Sequence, residues 1–153
     1  MSIMWKYLDK RAAVVEVLRD FSSMRSIIEN TDAEVQQRYG SLTGLRSVNM
    51  DGMPKAHNPQ ASEETIVNGI EEIDILKQRY MDAVEYMDWF LPAWNELSEE
   101  DQYVLDVFYR LGDCSMTHAA DLISEHYAIE RTSAYNRKNR ALSRLTLKLY
   151  GKR

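Results

Sequence analysis

The chain has 153 residues, with 19 Lys and Arg against 24 Asp and Glu, a net charge of −5, 44% hydrophobic residues and one cysteine. A chain of this length buries roughly 70% of the surface its unfolded form exposes, so a core forms without disulfides or structural zinc, and lone Cys114 makes neither an intramolecular bridge nor a thiolate cluster. No apolar run approaches the ~18–20 residues of a membrane span, and residues 1–10 lack the uninterrupted apolar stretch of a signal peptide. The expectation is therefore a non-secreted, cytoplasmic protein with no membrane partner.

Charge is unevenly distributed along the chain. Residues 127–153 hold eight basic residues against one acid, a local charge of +7, while the first 126 residues carry −12. An acidic body with a basic end points to a polyanion partner for one segment only.

Taken in order, residues 3–30 predict a helix, with Tyr7, Val14, Val17, Leu18, Phe21, Met24 and Ile28 on one stripe. Asn30, Thr31 and Asp32 read as a stop and a new cap, followed by a short helix over 33–39. Residues 40–62 contain three Gly, Pro54, Pro59 and several turn formers, and are expected to be a linker between the N-terminal helices of 1–39 and a second helical unit.

Residues 63–96 predict one long amphipathic helix. Ile66, Ile73, Tyr80, Met87 and Trp94 are seven apart, Leu76, Ala83 and Phe90 follow members of that series by three, and Ile70, Val84 and Leu91 widen the stripe. Such a pattern needs a partner helix, either the first helix in cis or a second copy of the chain, giving a homodimer through residues 63–94. The aromatic residues Tyr80, Tyr86, Trp89, Phe90 and Trp94 are read as core or interface. Pro92 removes a backbone donor and is expected to end or kink the helix near Leu91.

Residues 97–153 predict three more helices. Ser98 followed by three acids is a helix start, with Val104, Leu105, Phe108 and Leu111 inward and Gly112 as the stop. Ser115 caps a helix carrying Met116, Ala119, Ala120 and Ile123, and a basic helix runs from about Arg131 to Tyr150, ahead of Gly151. No segment reads as a strand, so the fold class is all-α: an N-terminal coiled-coil-like region followed by a C-terminal helix-turn-helix bundle.

In the last helix Ser133, Asn136, Arg137, Arg140 and Arg144 share one face, and Ala134, Ala141, Leu142, Leu145 and Leu149 lie opposite. One side suits docking on the preceding helices and the other offers guanidinium, amide and hydroxyl groups, as a helix entering a major groove requires. Arg131 and Thr132 stand at its start, so the candidate DNA-binding residues are Arg131, Thr132, Ser133, Asn136, Arg137, Arg140 and Arg144. This reading depends on the last helix lying with its alanine–leucine side against the two shorter helices and its arginines held outward. Arginines paired with the protein's own carboxylates, or a helix detached from its neighbours, would collapse the case for nucleic acid.

The stretches 97–105, Phe108-Tyr109, Ala119-Ala120 to Ile123, 129–135 and 140–145 resemble the helix-turn-helix of sigma-factor region 4. With the preceding amphipathic helix and linker, the chain looks most like small phage-encoded transcriptional regulators of the ArpU/RinA type. The resemblance covers 97–150 and fades toward the N-terminus. It implies binding of double-stranded DNA near a promoter and contact with RNA polymerase. Where that family has a small residue closing the turn, Ser124-Glu125-His126-Tyr127-Ala128 intervenes before Ile129, which predicts a longer second helix.

Two rival readings use the same features: a helical protein–protein adaptor working through the heptad helix, and a phage packaging subunit of the small-terminase kind. Enzymatic readings find little support. His118 and Asp121 sit one turn apart with Glu125 and His126 beyond, but complete no recognised metal-ligand set. No Gly-rich phosphate loop or nucleophile motif occurs, so neither catalysis nor a cofactor is expected.

Overall fold

The computed structural model describes residues 6–48, 59–111 and 114–151. Every extended element among them is helical: α1 (Lys10–Val48), α2 (Pro59–Asn95), α3 (Glu99–Leu105, continuing as a π-helical turn over Asp106–Arg110), α4 (Met116–Tyr127) and α5 (Arg131–Tyr150). No strand occurs among the described residues, and none of these helices is long and apolar enough to cross a membrane.

The helices divide into two compact units, one of Met1–Ser23 with Tyr86–Arg153 and one of Met24–Glu85. These boundaries differ from the expected ones, because neither the 40–62 region nor the start of α3 separates them. α1 runs unbroken through the stop expected at Asn30–Asp32. The heptad series Val14, Phe21, Ile28 continues into half-buried Val35 and Leu42, and Thr31 falls on the buried stripe. Its hydroxyl donates to the Ile27 carbonyl within the helix instead of capping a new one. Ser41 and Thr43 bond back to Gln37 and Tyr39 in the same way, at 3.0 and 2.9 Å, so residues 40–48 are helix rather than linker. Residues 59–62 open α2, and the rest of the expected linker, 49–58, lies outside the described residues.

Within the Met24–Glu85 unit, α1 and α2 meet through an Arg38–Glu72 ion pair of 2.7 Å and through Lys77 over the Tyr39 ring. Leu42 packs against the bare backbone of Gly69, where a Cβ would come within 2.6 Å of its Cδ2. The α2 stripe turns inward at Ile73 and Ala83 as its spacing predicts, but Ile70 is exposed.

The larger unit holds the main core. Val14 and Leu18 of α1 and Phe90, Ala93 and Trp94 of α2 bury together with Leu97, Val104, Leu105, Phe108, Ile123, Ala134, Ala141, Leu142 and Leu145. Full burial of each large side chain contributes about 1.5–3 kcal/mol. The Phe21, Phe90, Trp94 and Tyr86 rings lie 5.5–5.6 Å apart in successive pairs centred on Phe90, and the Tyr86 hydroxyl donates to the Val17 carbonyl. Tyr7, expected on this stripe, is 79% exposed, because it precedes the first turn of α1.

α2 continues through Pro92 to Asn95. Pro92 faces solvent, where the carbonyl it leaves unpaired can be hydrated, while burial of Ala93 and Trp94 holds the last turn on the core. The Trp94 carbonyl accepts from the Leu97 N–H at 3.1 Å and from the Gln102 side-chain amide at 2.8 Å, and the Ser98 hydroxyl accepts from Asp101 N–H at 3.2 Å to start α3.

The π-turn closes with Leu111 N–H donating to Asp106 O at 2.8 Å. One extra residue per turn rotates the following side chains by about 100°. Val107, Phe108 and Tyr109 are therefore all buried, whereas Leu111, inward by simple spacing, is 69% exposed. The turn also aims the Arg110 guanidinium over the rings of Phe21 (3.8 Å) and Trp94 (4.6 Å), with Asp106 3.0 Å away as its counter-ion. Gly112, the expected stop, lies outside the described residues.

Candidate nucleic-acid interface

α4 and α5 are joined by Ala128, Ile129 and Glu130. The Ser115 hydroxyl accepts from His118 N–H at 3.3 Å to start α4, which runs on through Ser124-Glu125-His126-Tyr127 as its sequence predicts. Ala128 then takes a left-handed conformation, φ 51°, and the Ile129 N–H reaches back to the Ser124 carbonyl at 3.0 Å. The Ser124 hydroxyl donates to the Ile129 carbonyl, closing the turn from both sides. α5 ends on Gly151, whose φ of 68° is a conformation that glycine adopts without strain.

Both α3 and α4 pack against α5, which buries Ala134, Ala141, Leu142, Leu145 and Thr146 and holds no Asp or Glu in its 20 residues. Small Ala134 and Ala141 let the helices approach closely. Tyr135 joins the seam, 6.0 Å from the Phe108 ring, and half-buried Lys138 lies over both rings. Burial lowers the pKa of Lys138 below its ordinary value. Lys138 thus belongs to the packed side of α5.

The structure divides the seven candidate residues into two groups. Thr132, Ser133, Asn136 and Arg140 lie on the outward side of α5, and among the described residues their side chains have no protein partner. The other three arginines are paired with the protein's own carboxylates, contrary to the expectation that all are held free. Arg131 makes a two-pronged contact with Asp121, its Nη2 2.8 Å from Oδ2. Arg137 lies 4.4 Å over the Tyr127 ring with Glu100 at 3.9 Å. Arg144 bonds both oxygens of Asp101 at 2.9 and 2.7 Å.

These pairs differ in what they permit. The Asp101 side chain is only 13% exposed and sits in the first turn of α3, so Arg144 clamps α5 to α3. Arg131 and Asp121 are 62% and 39% exposed, and an ion pair so hydrated is worth roughly 0.2–1 kcal/mol, little enough to be exchanged for a phosphate. Arg137 is held chiefly by the ring beneath it, because Glu100 is distant and exposed. The contact with Arg131 also engages Asp121, the carboxylate that sequence spacing placed beside His118.

Acids from α3, α4 and, with Glu96 against Lys148, the turn after α2 thus offset the basic tail. In the larger unit thirteen Lys and Arg meet thirteen Asp and Glu, and the Met24–Glu85 unit carries the whole −5. The division of charge along the sequence is not preserved in space, because folding returns acids such as Glu96 and Asp101 to α5.

Asn139, Ser143 and Arg11 extend the polar face beyond the predicted residues. Together with Asn136, Arg140 and Arg144 they line a shallow groove of about 440 Å³. Asn139 and Ser143 follow the spacing of the predicted stripe and were readable from it. Arg11 comes from the start of α1, and no local pattern connects it with α5.

No protein family, curated protein or solved structure matches this chain.

Proposed function

We propose that the protein is a sequence-specific double-stranded DNA-binding regulator of transcription that reads the major groove with α5. The observation that carries this reading is the outward stripe Thr132, Ser133, Asn136 and Arg140, unpaired among the described residues, on an acid-free helix whose opposite side is buried against α3 and α4. Arg140 suits a guanine edge or a phosphate through its two-pronged fork, Asn136 suits an adenine edge, and the hydroxyls complete a polar surface of mixed donors and acceptors. Arg131 and Arg137 would exchange exposed acids for phosphates on docking, with counterion release supplying the salt-dependent part of the affinity. Arg144 is assigned to the α3–α5 clamp instead. The Met24–Glu85 unit, with its −5 charge, would face protein: RNA polymerase or a second copy.

One observation favours the adaptor reading as a second possibility. Arg131, Arg137 and Arg144 are already neutralised in cis, which weakens the field that attracts DNA.

Selection of bound duplexes from a randomised pool, followed by anisotropy titrations of the winners at two salt concentrations, separates the two. The regulator reading expects an enriched motif, affinity falling with salt, loss of binding in Arg140→Ala, and relaxed preference at one position in Asn136→Ala. No enrichment, or indifference to Arg140→Ala, would overturn it in favour of the adaptor.

A further inference from the structure

We propose that Arg11 of α1 and Arg140 of α5 jointly grip one backbone phosphate of the duplex, so that the N-terminal helix forms part of the DNA-contacting surface. This rests on the reading of α5 as the DNA-binding helix.

The groove lined by Arg11, Asn136, Asn139, Arg140, Ser143 and Arg144 contains three guanidinium groups and three neutral donors, and no carboxylate lines it. Arg11 is laid across α5 by a hydrogen bond from its Nη2 to the Ser143 hydroxyl. Neither Arg11 nor Arg140 has an ion pair among the described residues, whereas Arg144 at the groove's edge is neutralised by Asp101. Two guanidiniums without counter-ions share one concave surface, an arrangement that repels itself until an anion enters.

The donors fit phosphate chemistry. Guanidinium forks make two-pronged bonds to phosphate oxygens, and the Asn139 amide and Ser143 hydroxyl can donate to the rest. A phosphodiester is favoured over a free anion because the groove is open and lies along the stripe from Thr132 to Ser143 that would face the bases. Such a contact fixes register and orientation without reading sequence.

The test uses the full chain and a labelled duplex of mixed sequence, measuring affinity by anisotropy from low to moderate salt for wild type, Arg11→Ala, Arg11→Lys and Asn136→Ala. Removing one of the two guanidiniums that neutralise this phosphate should weaken low-salt affinity in Arg11→Ala and lower the slope of log affinity against log salt by part of the roughly 0.9 that a whole phosphate contributes. Arg11→Lys should keep the slope, and Arg11→Ala should leave the selected sequence preference unchanged while Asn136→Ala alters it. An unchanged slope in Arg11→Ala with wild-type binding intact overturns this inference and leaves the regulator reading standing. If wild type binds no duplex, the regulator reading and the phosphodiester assignment both fail. Titration of inorganic phosphate against the arginine Nε–H resonances then shows whether the groove is an anion site at all: shifts lost in Arg11→Ala retain the anion site, and no shifts discard it.

Discussion

At the residue scale, chemically similar side chains on α5 have different roles, decided by what folding puts beside them. Arg140 and Arg144 are one turn apart, yet only Arg144 meets a nearly buried carboxylate. Arg144→Ala should therefore cost about 1 kcal/mol of stability in urea titration, a value kept small because the guanidinium is half exposed, while Arg140→Ala should leave stability unchanged and weaken DNA binding. Ala128 occupies a left-handed conformation that costs a non-glycine residue roughly 1–2 kcal/mol. Ala128→Gly should accordingly raise stability by about 1 kcal/mol, and a loss would show that the methyl has packing that offsets the strain.

Two carboxylates have opposite pH dependence. Hydrogen bonding to Lys148, and then its charge, hold the Glu96 pKa below the ordinary carboxylate range. The resulting tie between the turn after α2 and α5 contributes above that range and is lost as pH falls through the lowered value. Burial raises the pKa of Asp106, with Arg110 opposing, so its contribution is largest in acid and is lost as pH rises through the raised value. Glu96→Gln should therefore lower the urea midpoint at neutral pH, and the difference from wild type should vanish as the pH falls through the carboxylate range.

At the element scale, α1 shows how heptad packing overrides local punctuation. Asn30, Thr31, Asp32, Gly40 and Gly44 read locally as a stop and a loop, yet the seven-residue series from Val14 to Leu42 carries the helix through all of them. A mid-helix glycine with open space around its Cβ position costs about 0.5–1 kcal/mol relative to alanine. Gly40→Ala, with no atom within 4 Å of the added methyl, should raise stability by that amount, whereas Gly69→Ala would have to displace Leu42 and should gain less or lose. A linker at residue 40 would give no such gain. The π-turn has a comparable role in α3: it turns Leu111 out and Arg110 onto two aromatic faces. Removing that cation leaves Asp106 partly buried and unpaired, so Arg110→Ala should cost about 3 kcal/mol by urea titration.

For the whole molecule, burial is unequal between the units. Among the described residues, Thr31, Ile73 and Ala83 are the buried side chains of Met24–Glu85, whereas the other unit contains the main cluster around Leu18, Phe90, Leu105, Ile123 and Leu145. Local opening costs less where fewer apolar contacts break. Native-state hydrogen exchange should therefore run faster in the 24–48 and 59–85 stretches of α1 and α2 than in α3, α4 and α5. Equal protection throughout would mean that the two units open as one.

The all-α class, the capped starts at Ser98 and Ser115, the limits of α5 and its division into an alanine–leucine side and a polar side were all legible in the sequence, because caps and helical period act over a few residues. Tertiary structure decided which arginines are free. Asp101 and Asp121 reach Arg144 and Arg131 only after α3 and α4 have packed on α5, and Arg11 reaches Ser143 only after α1 has joined the same core. Charge acts through space, so a tail of +7 along the chain becomes a balanced unit once the acids that fold beside it are counted.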